Sequence, residues 1–487
     1  MKIIFTKKLV QAVAVLTLLS ACDMNKEPYD SKSAAAALAT PEDLQIATYG
    51  TYAGLVYDEY VHMHHQLGEF GGDNVALSGT SGSHWYNVYN YTHFPAMTTT
   101  TLFWSQAYKT IFSANQIIER IEDGESAALD QLKGENLFLR AMVHFDLVKF
   151  FGRPYTQGQG NNPGVVIREN TRDAILPFRS TVKEVYDFVI ADLEKAAVLM
   201  TENKTASYAT KHAAYALLSR IYLYMDENEK AIEYANLVIN SGHYVLTPTN
   251  SYKTYFTVIP DANTETIFAI RHTLVDNKNK GSIGSQYYTD GTSGWGQMYA
   301  SLDFMNLINK YPEDARHSFI EIQMASNGVD TLKRGNVPQF FVNKHVKQEG
   351  VINLSSPVML RLAEMYLNRA EAYVKLGGGE NEQRAIDDVN LIRQRAGLSG
   401  AALYTLGDLK WHESVLDVVL EERRLELAFE SHRPLDLYRN NRPLVRAYLG
   451  YHSADRYNQT ILPTSDRIIL FIPEREIIVN PNLEQNP

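Results

Sequence analysis

Apolar residues return at helical spacing in paired blocks along this chain, and no other feature limits its fold as strongly. Ala214, Leu217, Leu218, Ile221 and Met225 fall at i, i+3, i+4, i+7 and i+11, which puts them on one face of a helix. The polar run Asp226-Glu227-Asn228-Glu229 separates them from Ala231, Tyr234, Ala235 and Val238. The two stripes can therefore close on each other as a helix-turn-helix, with small alanines where the helices cross. A second block repeats the design. Leu362, Tyr366, Arg369, Ala370 and Tyr373 precede Gly377-Gly378-Gly379, a break that ends a helix, and Ala385, Val389 and Ile392 follow it.

Two looser copies lie upstream. Phe138, Ala141, Met142 and Phe145 are answered after a long insertion by Val182, Val185, Val189 and Leu193, while Leu44, Thr48, Thr51 and Leu55 are answered by Phe103, Ala107, Ile111, Ala114 and Ile118. The four pairs resemble tetratricopeptide units, whose period of about 34 residues is kept in the two tight copies only. Helix pairs bury their faces by stacking, so the expected fold is all-α dominated: a scaffold of four helix pairs. The insertions between helices are then free to carry function.

The single cysteine, Cys22, follows Leu19-Ser20-Ala21 behind an apolar run over residues 9–18 and the basic Lys2, Lys7 and Lys8. Basic, apolar, small residues and then cysteine is the layout of a bacterial secretion signal, with the cysteine placed as in a lipoprotein lipobox. Residues 1–21 are expected to be removed and Cys22 to be diacylated. The apolar run is shorter than the roughly 20 residues needed to span a bilayer. Residues 22–40 are short of large apolar side chains and read as a flexible tether. The body is expected in two parts, 41–245 and 246–487. The net charge of -10 is spread over mixed signs without a basic stripe, which argues against a nucleic-acid partner.

Catalysis finds little support. Glu421, Glu422, Glu426 and Glu430 share a helix with Arg423 and Arg424, and two carboxylates can act as acid and base on a glycosidic bond. However, Leu416, Val419, Leu420, Arg423 and Leu427 form one stripe. Arg423 is thereby drawn inward, where it needs a carboxylate such as Glu426. A structural ion network is expected and no catalytic residue is assigned. His62, His64 and His65 lack partners at ligand spacing and read as a surface cluster, so neither a metal nor a cofactor is expected.

Two loops carry the functional signal. Residues 71–101 hold Asp73, Asn74, Trp85, Tyr86, Tyr89 and Tyr91 among Gly, Ser and Thr, without a sustained helical period, and residues 276–299 repeat the mixture with Tyr287, Tyr288, Asp290, Trp295 and Tyr299. Sugars present flat C–H faces rimmed by hydroxyls, so a site for them needs aromatic platforms beside amides and carboxylates. These eleven residues are the expected glycan contacts.

The C-terminal third adds longer strings. Residues 358–372 read VMLRLAEMYLNRAEA, 389–398 read VNLIRQRAGL, 421–430 read EERRLELAFE with His432-Arg433 and Asp436-Leu437 behind them, and 480–487 read NPNLEQNP. In this order behind a lipobox they resemble the SusD/RagB family of outer-membrane nutrient-binding lipoproteins of Bacteroidetes. Trp104, Tyr108, Ile111 and Asn115, and the run from Arg140-Ala141 to Lys149-Phe150-Phe151-Gly152, fit that pattern. The resemblance implies four tetratricopeptide-like helix pairs with a second, irregular part of loops and minor strands that carries the ligand surface, in a lipid-anchored outer-membrane protein facing the exterior. Such a protein captures oligosaccharides for a SusC-like TonB-dependent transporter and is not an enzyme. A binding protein for peptides or another nutrient, a glycoside hydrolase and a pure assembly adaptor remain as rivals.

Overall fold

A computed structural model describes residues 36–78, 84–172, 176–452 and 457–487. The signal segment, Cys22 and residues 22–35 of the tether lie outside the described residues. The chain divides between Ala47 and Thr48 into two compact units. Of the first, residues 36–47 are described: a 3-10 turn, Ala36–Leu38, and the opening turns of helix α1 (Pro41–Val56).

The second unit is dominated by helices: α2 (Asp58–Glu69), α3 (His84–Tyr89), α4 (Thr98–Ile118), α5 (Ala127–Phe151), α6 (Val182–Leu199), α7 (Lys211–Met225) and α8 (Asn228–Ile239). They are followed by α9 (Ile283–Tyr287), α10 (Leu362–Leu376), α11 (Gly379–Arg395), α12 (Val415–Glu426), α13 (Arg433–Arg439) and α14 (Glu474–Val479). From α4 to α8 each helix packs on the next, then α8 packs directly on α10, and α10 packs on α11 and α12. The two tight pairs, far apart in sequence, are thus neighbours, and the chain between α8 and α10 is an excursion from the stack.

Local chemistry sets the turns. Asp226 takes a left-handed conformation (φ 66°) at the end of α7 and its N–H donates back to Leu223 and Tyr222, which reverses the chain into α8. After α10, Gly377 (φ 74°) and Gly378 (φ 89°) make the corresponding reversal, a backbone that glycine adopts without strain. The first pair departs from expectation because α2 intervenes and packs on α4. The later turns of α1 still reach α4 and α5: Gln106 Nε2 donates to Gly54 O (3.0 Å), and Asn136 Nδ2 to Thr48 Oγ1 (2.9 Å). A Cβ on Gly54 would lie 2.6 Å from Thr110 Oγ1, so the approach of α1 to α4 requires glycine.

The irregular part contributes short two-stranded antiparallel ladders. Buried ion pairs join it to the helices. Arg316, Arg361, Arg393 and Arg423 are each at most 2% exposed. Arg423 is buried as its stripe predicts, but its partners differ from expectation. It donates to Asp436 (3.1 and 3.2 Å) and Asn368 (2.8 Å) and lies 3.4 Å from Glu371. Glu426, one turn away, points elsewhere and accepts from Arg361 (2.5 Å), Arg395 and Tyr252 (3.0 Å). Periodicity fixed the face of Arg423 but could not say which carboxylate from another segment would arrive there.

A buried guanidinium removed from its carboxylates leaves charge without compensation, at a cost of roughly 3 to 5 kcal/mol. Arg423→Met is expected to lower unfolding stability by about that amount in denaturant titration. Arg384→Met, on an exposed face of α11 where the partner is Glu380, should cost under about 1 kcal/mol.

Candidate functional site

The two loops singled out by composition are joined in space. Strand Val75–Leu77 pairs antiparallel with Met298–Ala300, with Val75 opposite Ala300 and Leu77 opposite Met298. Beyond the ladder, Ser78 N donates to Gln297 O (2.9 Å) and Trp85 Nε1 to Gln286 Oε1 (2.9 Å). Neither loop is purely irregular, since α3 lies in the first and α9 in the second. Both helices are under two turns long, too short for a periodic signature.

The eleven expected contact residues separate into two groups. Asp73, Asn74, Tyr89, Tyr91, Tyr287 and Tyr299 are buried and already engaged. Asp73 receives both forks of Arg433 (2.8 and 3.0 Å), and Arg424 Nε donates to Asn74 Oδ1 (2.9 Å). Burial pushes the Asp73 carboxyl up, but Arg424 and Arg433 outweigh it and hold it well below the ordinary carboxylate range. Tyr89 OH meets His452 Nδ1 (2.9 Å), Tyr91 OH donates to Gly71 O (2.8 Å), Tyr287 OH meets His65 Nε2 (2.8 Å) and Tyr299 OH donates to Gly296 O (2.6 Å). Asp290 is exposed but turned onto its own loop, where it accepts from Thr292 N (2.8 Å), Ser293 N (2.7 Å) and both their hydroxyls. These residues brace the loops, because long insertions need packed side chains and satisfied polar groups of their own.

The remaining four reach the surface. Trp85, Tyr86 and Tyr288 are half-buried and Trp295 is 48% exposed. Trp295 is held by Nε1 donating to Lys280 O (3.1 Å), with Lys280 Nζ 5.2 Å from the ring centre. Lys347 Nζ stands 4.5 Å from the Tyr288 ring centre. Composition missed the cations. Arg334 donates to Trp295 O (2.9 Å) and Gly296 O (3.0 Å). Arg446 is buried and closes the base of the first loop by donating to Gly71 O (2.8 Å) and Gly72 O (2.9 Å). The signal available for Arg446 was its alternation in a short strand, Leu444–Ala447, where it faces inward beside exposed neighbours. Half-buried Tyr451 packs with Tyr288 on the cluster of Tyr299, Phe341 and Tyr448.

The histidines are corrected. His62, His64 and His65 are buried on α2 rather than displayed at the surface. His62 Nε2 meets Gln66 (3.0 Å), His64 Nε2 lies 3.3 Å from Asp146, and the His65 ring meets His345 at 4.8 Å between centroids. Among the described residues no group of three or more His, Cys, Asp or Glu side chains is placed to hold a metal ion. The carboxylates of α12 are also committed: Glu422 is paired with Arg316 and Arg393, and Glu426 with Arg361 and Arg395.

A groove of about 790 Å³ lies elsewhere, walled by residues such as Trp104, Phe112, Leu176 and Val479. Its amides are occupied: Asn115 donates to Arg168 O and accepts from Arg140, and Asn480 donates to Pro177 O.

Burial drives the His62 and His345 pKa values down to about 4 and lowers that of His65. These groups are neutral when folded and charge more readily when unfolded, near the usual 6.5. Their stabilisation is complete above about pH 6.5 and is lost as pH falls toward 4, by up to about 1.4 kcal/mol per pH unit for each histidine. The melting temperature should therefore fall between pH 7 and pH 4.5, less steeply in His62→Gln.

Residues 17–223 match the family described as "Starch-binding associating with outer membrane", and residues 308–487 match the SusD family. The chain is similar to the SusD-like protein P38 of Formosa agariphila, 27% identical over 97% of this chain and 96% of that protein. Among solved structures it is similar to a SusD superfamily protein of Bacteroides thetaiotaomicron (TM-score 0.82, 29% identity, covering 92% of this chain and 100% of the other). A second, from Bacteroides vulgatus, gives TM-score 0.80 and 30% identity over 92% of this chain and 99% of the other.

Proposed function

This chain belongs to the SusD family, and on that premise we propose that it is a non-catalytic, glycan-binding lipoprotein of the outer membrane. It captures an oligosaccharide or polysaccharide at the exterior face and hands it to a SusC-like TonB-dependent transporter. The observation that carries this reading is the meeting of the two loops. They bring Trp85, Tyr86, Tyr288 and Trp295 to the surface over a rigid base of buried tyrosines and paired arginines. Rings supply stacking for the flat face of a sugar and Lys280 a charged donor for its hydroxyls, while Arg334 and Lys347 brace the rim through Trp295 O, Gly296 O and Glu321. The family description, starch-binding and outer-membrane associated, supports the same class of ligand and the same location.

The test is a screen of the soluble body against amylopectin, laminarin, xylan and alginate, followed by calorimetry on whichever binds. Trp295→Ala is expected to weaken binding about ten-fold, or about 1.4 kcal/mol, with unchanged circular dichroism. Losses in Trp295→Ala and Tyr288→Ala should fail to add if both rings serve one ligand. Full affinity in the folded double variant would refute this surface.

The anchor is tested separately. Cys22→Ser should release the protein from membranes or leave it unprocessed, because acylation of that sulfur is the attachment proposed. Wild-type protein that takes up no fatty-acid label while still fractionating with membranes would overturn it.

A further inference from the structure

Resting on the glycan-binding reading, we infer that the helical scaffold carries a second sugar-contact site, a tyrosine-walled cleft formed by α1, the turn before α7 and the end of the strand Thr266–Ala269. The cleft encloses about 330 Å³ and is lined by Tyr49, Tyr52, Tyr208, Ser207, Asp261 and Arg271, among others, none of which belongs to residues 71–101 or 276–299. Tyr208 packs on both other tyrosines, its ring 6.2 Å from that of Tyr49 and 5.5 Å, edge-on, from that of Tyr52. Lys204 Nζ lies 5.3 Å from the Tyr208 ring centre.

The walls are fixed before any ligand arrives. Tyr52 OH donates to buried Glu135 (2.8 Å) and accepts from Ala209 N (2.8 Å). Ala206 O accepts from Ala269 N (2.9 Å), which ties the turn to the strand. Asp261 accepts from Ser207 N (3.0 Å) and Ser207 Oγ (2.7 Å). Ring positions that are already ordered lose little entropy on binding.

The polar groups suit hydroxyls. Arg271 Nη1 donates to His272 O (2.5 Å) and Ser356 Oγ (3.4 Å), while Nε, 3.8 Å from Asp261, and Nη2, 3.8 Å from Glu349, make longer ion pairs beyond hydrogen-bond reach. One edge of the guanidinium can therefore donate to a ligand, and the exposed Asp261 carboxylate retains lone pairs to accept from one. Tyr49, 44% exposed, presents a ring face beside them. Flat rings next to a carboxylate and a guanidinium edge in an open cleft fit a segment of a sugar chain. Two separate contacts on one polymer would raise retention of long chains over short ones through effective concentration.

The experiment compares wild type, Trp295→Ala, Tyr49→Ala and the Tyr49→Ala/Tyr208→Ala double variant by affinity electrophoresis in whichever of the four polysaccharides binds, and by calorimetry with its hexasaccharide. Tyr49→Ala is the conservative arm, since Tyr49 is the more exposed of the two tyrosines; circular dichroism checks the double variant. We expect the tyrosine variants to lose polysaccharide retention by roughly ten-fold while keeping the hexasaccharide affinity that depends on Trp295. Wild-type retention in both tyrosine variants, with Trp295→Ala still impaired, overturns the second site and leaves the loop surface standing. Loss in the tyrosine variants alone overturns the loop surface instead, and absence of binding to all four polymers overturns both.

Discussion

Glu426 sits fully buried among three arginines, and the geometry of the irregular part follows from that arrangement. Burial alone would push its carboxyl up, but Arg395, Arg361 and Arg316 hold it well below the ordinary carboxylate range. Each arginine comes from a different segment: Arg361 from the strand before α10, Arg395 from the end of α11, and Arg316 from the excursion between α8 and α10. A charge so deep is tolerated only when every partner is in place. The cluster therefore ties the excursion to the helical stack through buried charge.

The same helix extends the constraint to the loops. Arg424, beside the buried face of α12, holds Asn74, and Arg433 at the start of α13 holds Asp73. The chain between α12 and α13 is itself strained, with Phe429 (φ 63°) and Ser431 (φ 66°) in the left-handed region. Their N–H groups donate to the buried Glu69 (3.2 and 2.8 Å) at the end of α2, where burial raises the carboxyl pKa to about 7. The two loops thus spring from a base locked by charge, and their outer rings inherit its rigidity. That is the condition a preorganised platform needs.

Much of the scaffold was legible in the sequence because a helix writes its buried face as a local period. The stripes Ala214 to Met225 and Leu362 to Tyr373, and the breaks at Asp226 and Gly377, each depend on residues within a turn or two of one another. Burial of Arg423 was readable for the same reason. The family resemblance was readable because long strings in a fixed order are preserved in one dimension.

What tertiary structure alone decided is which side chains the strings bring together. Tyr89, Tyr287 and Tyr299 have the same composition signal as Tyr86 and Tyr288, yet the first three are interior struts and the other two reach solvent. The difference lies in what a distant segment places against each residue: His452 over Tyr89, His65 over Tyr287, and for Tyr299 the strand Val75–Leu77 paired beside it. His62, His64 and His65 were unreadable as buried for the same cause, since α2 is covered on several sides by segments remote in sequence. The sequence determined the helices and the kind of chemistry the loops carry; the fold decided which rings face water, because exposure is set by non-local packing and has no local period to reveal it.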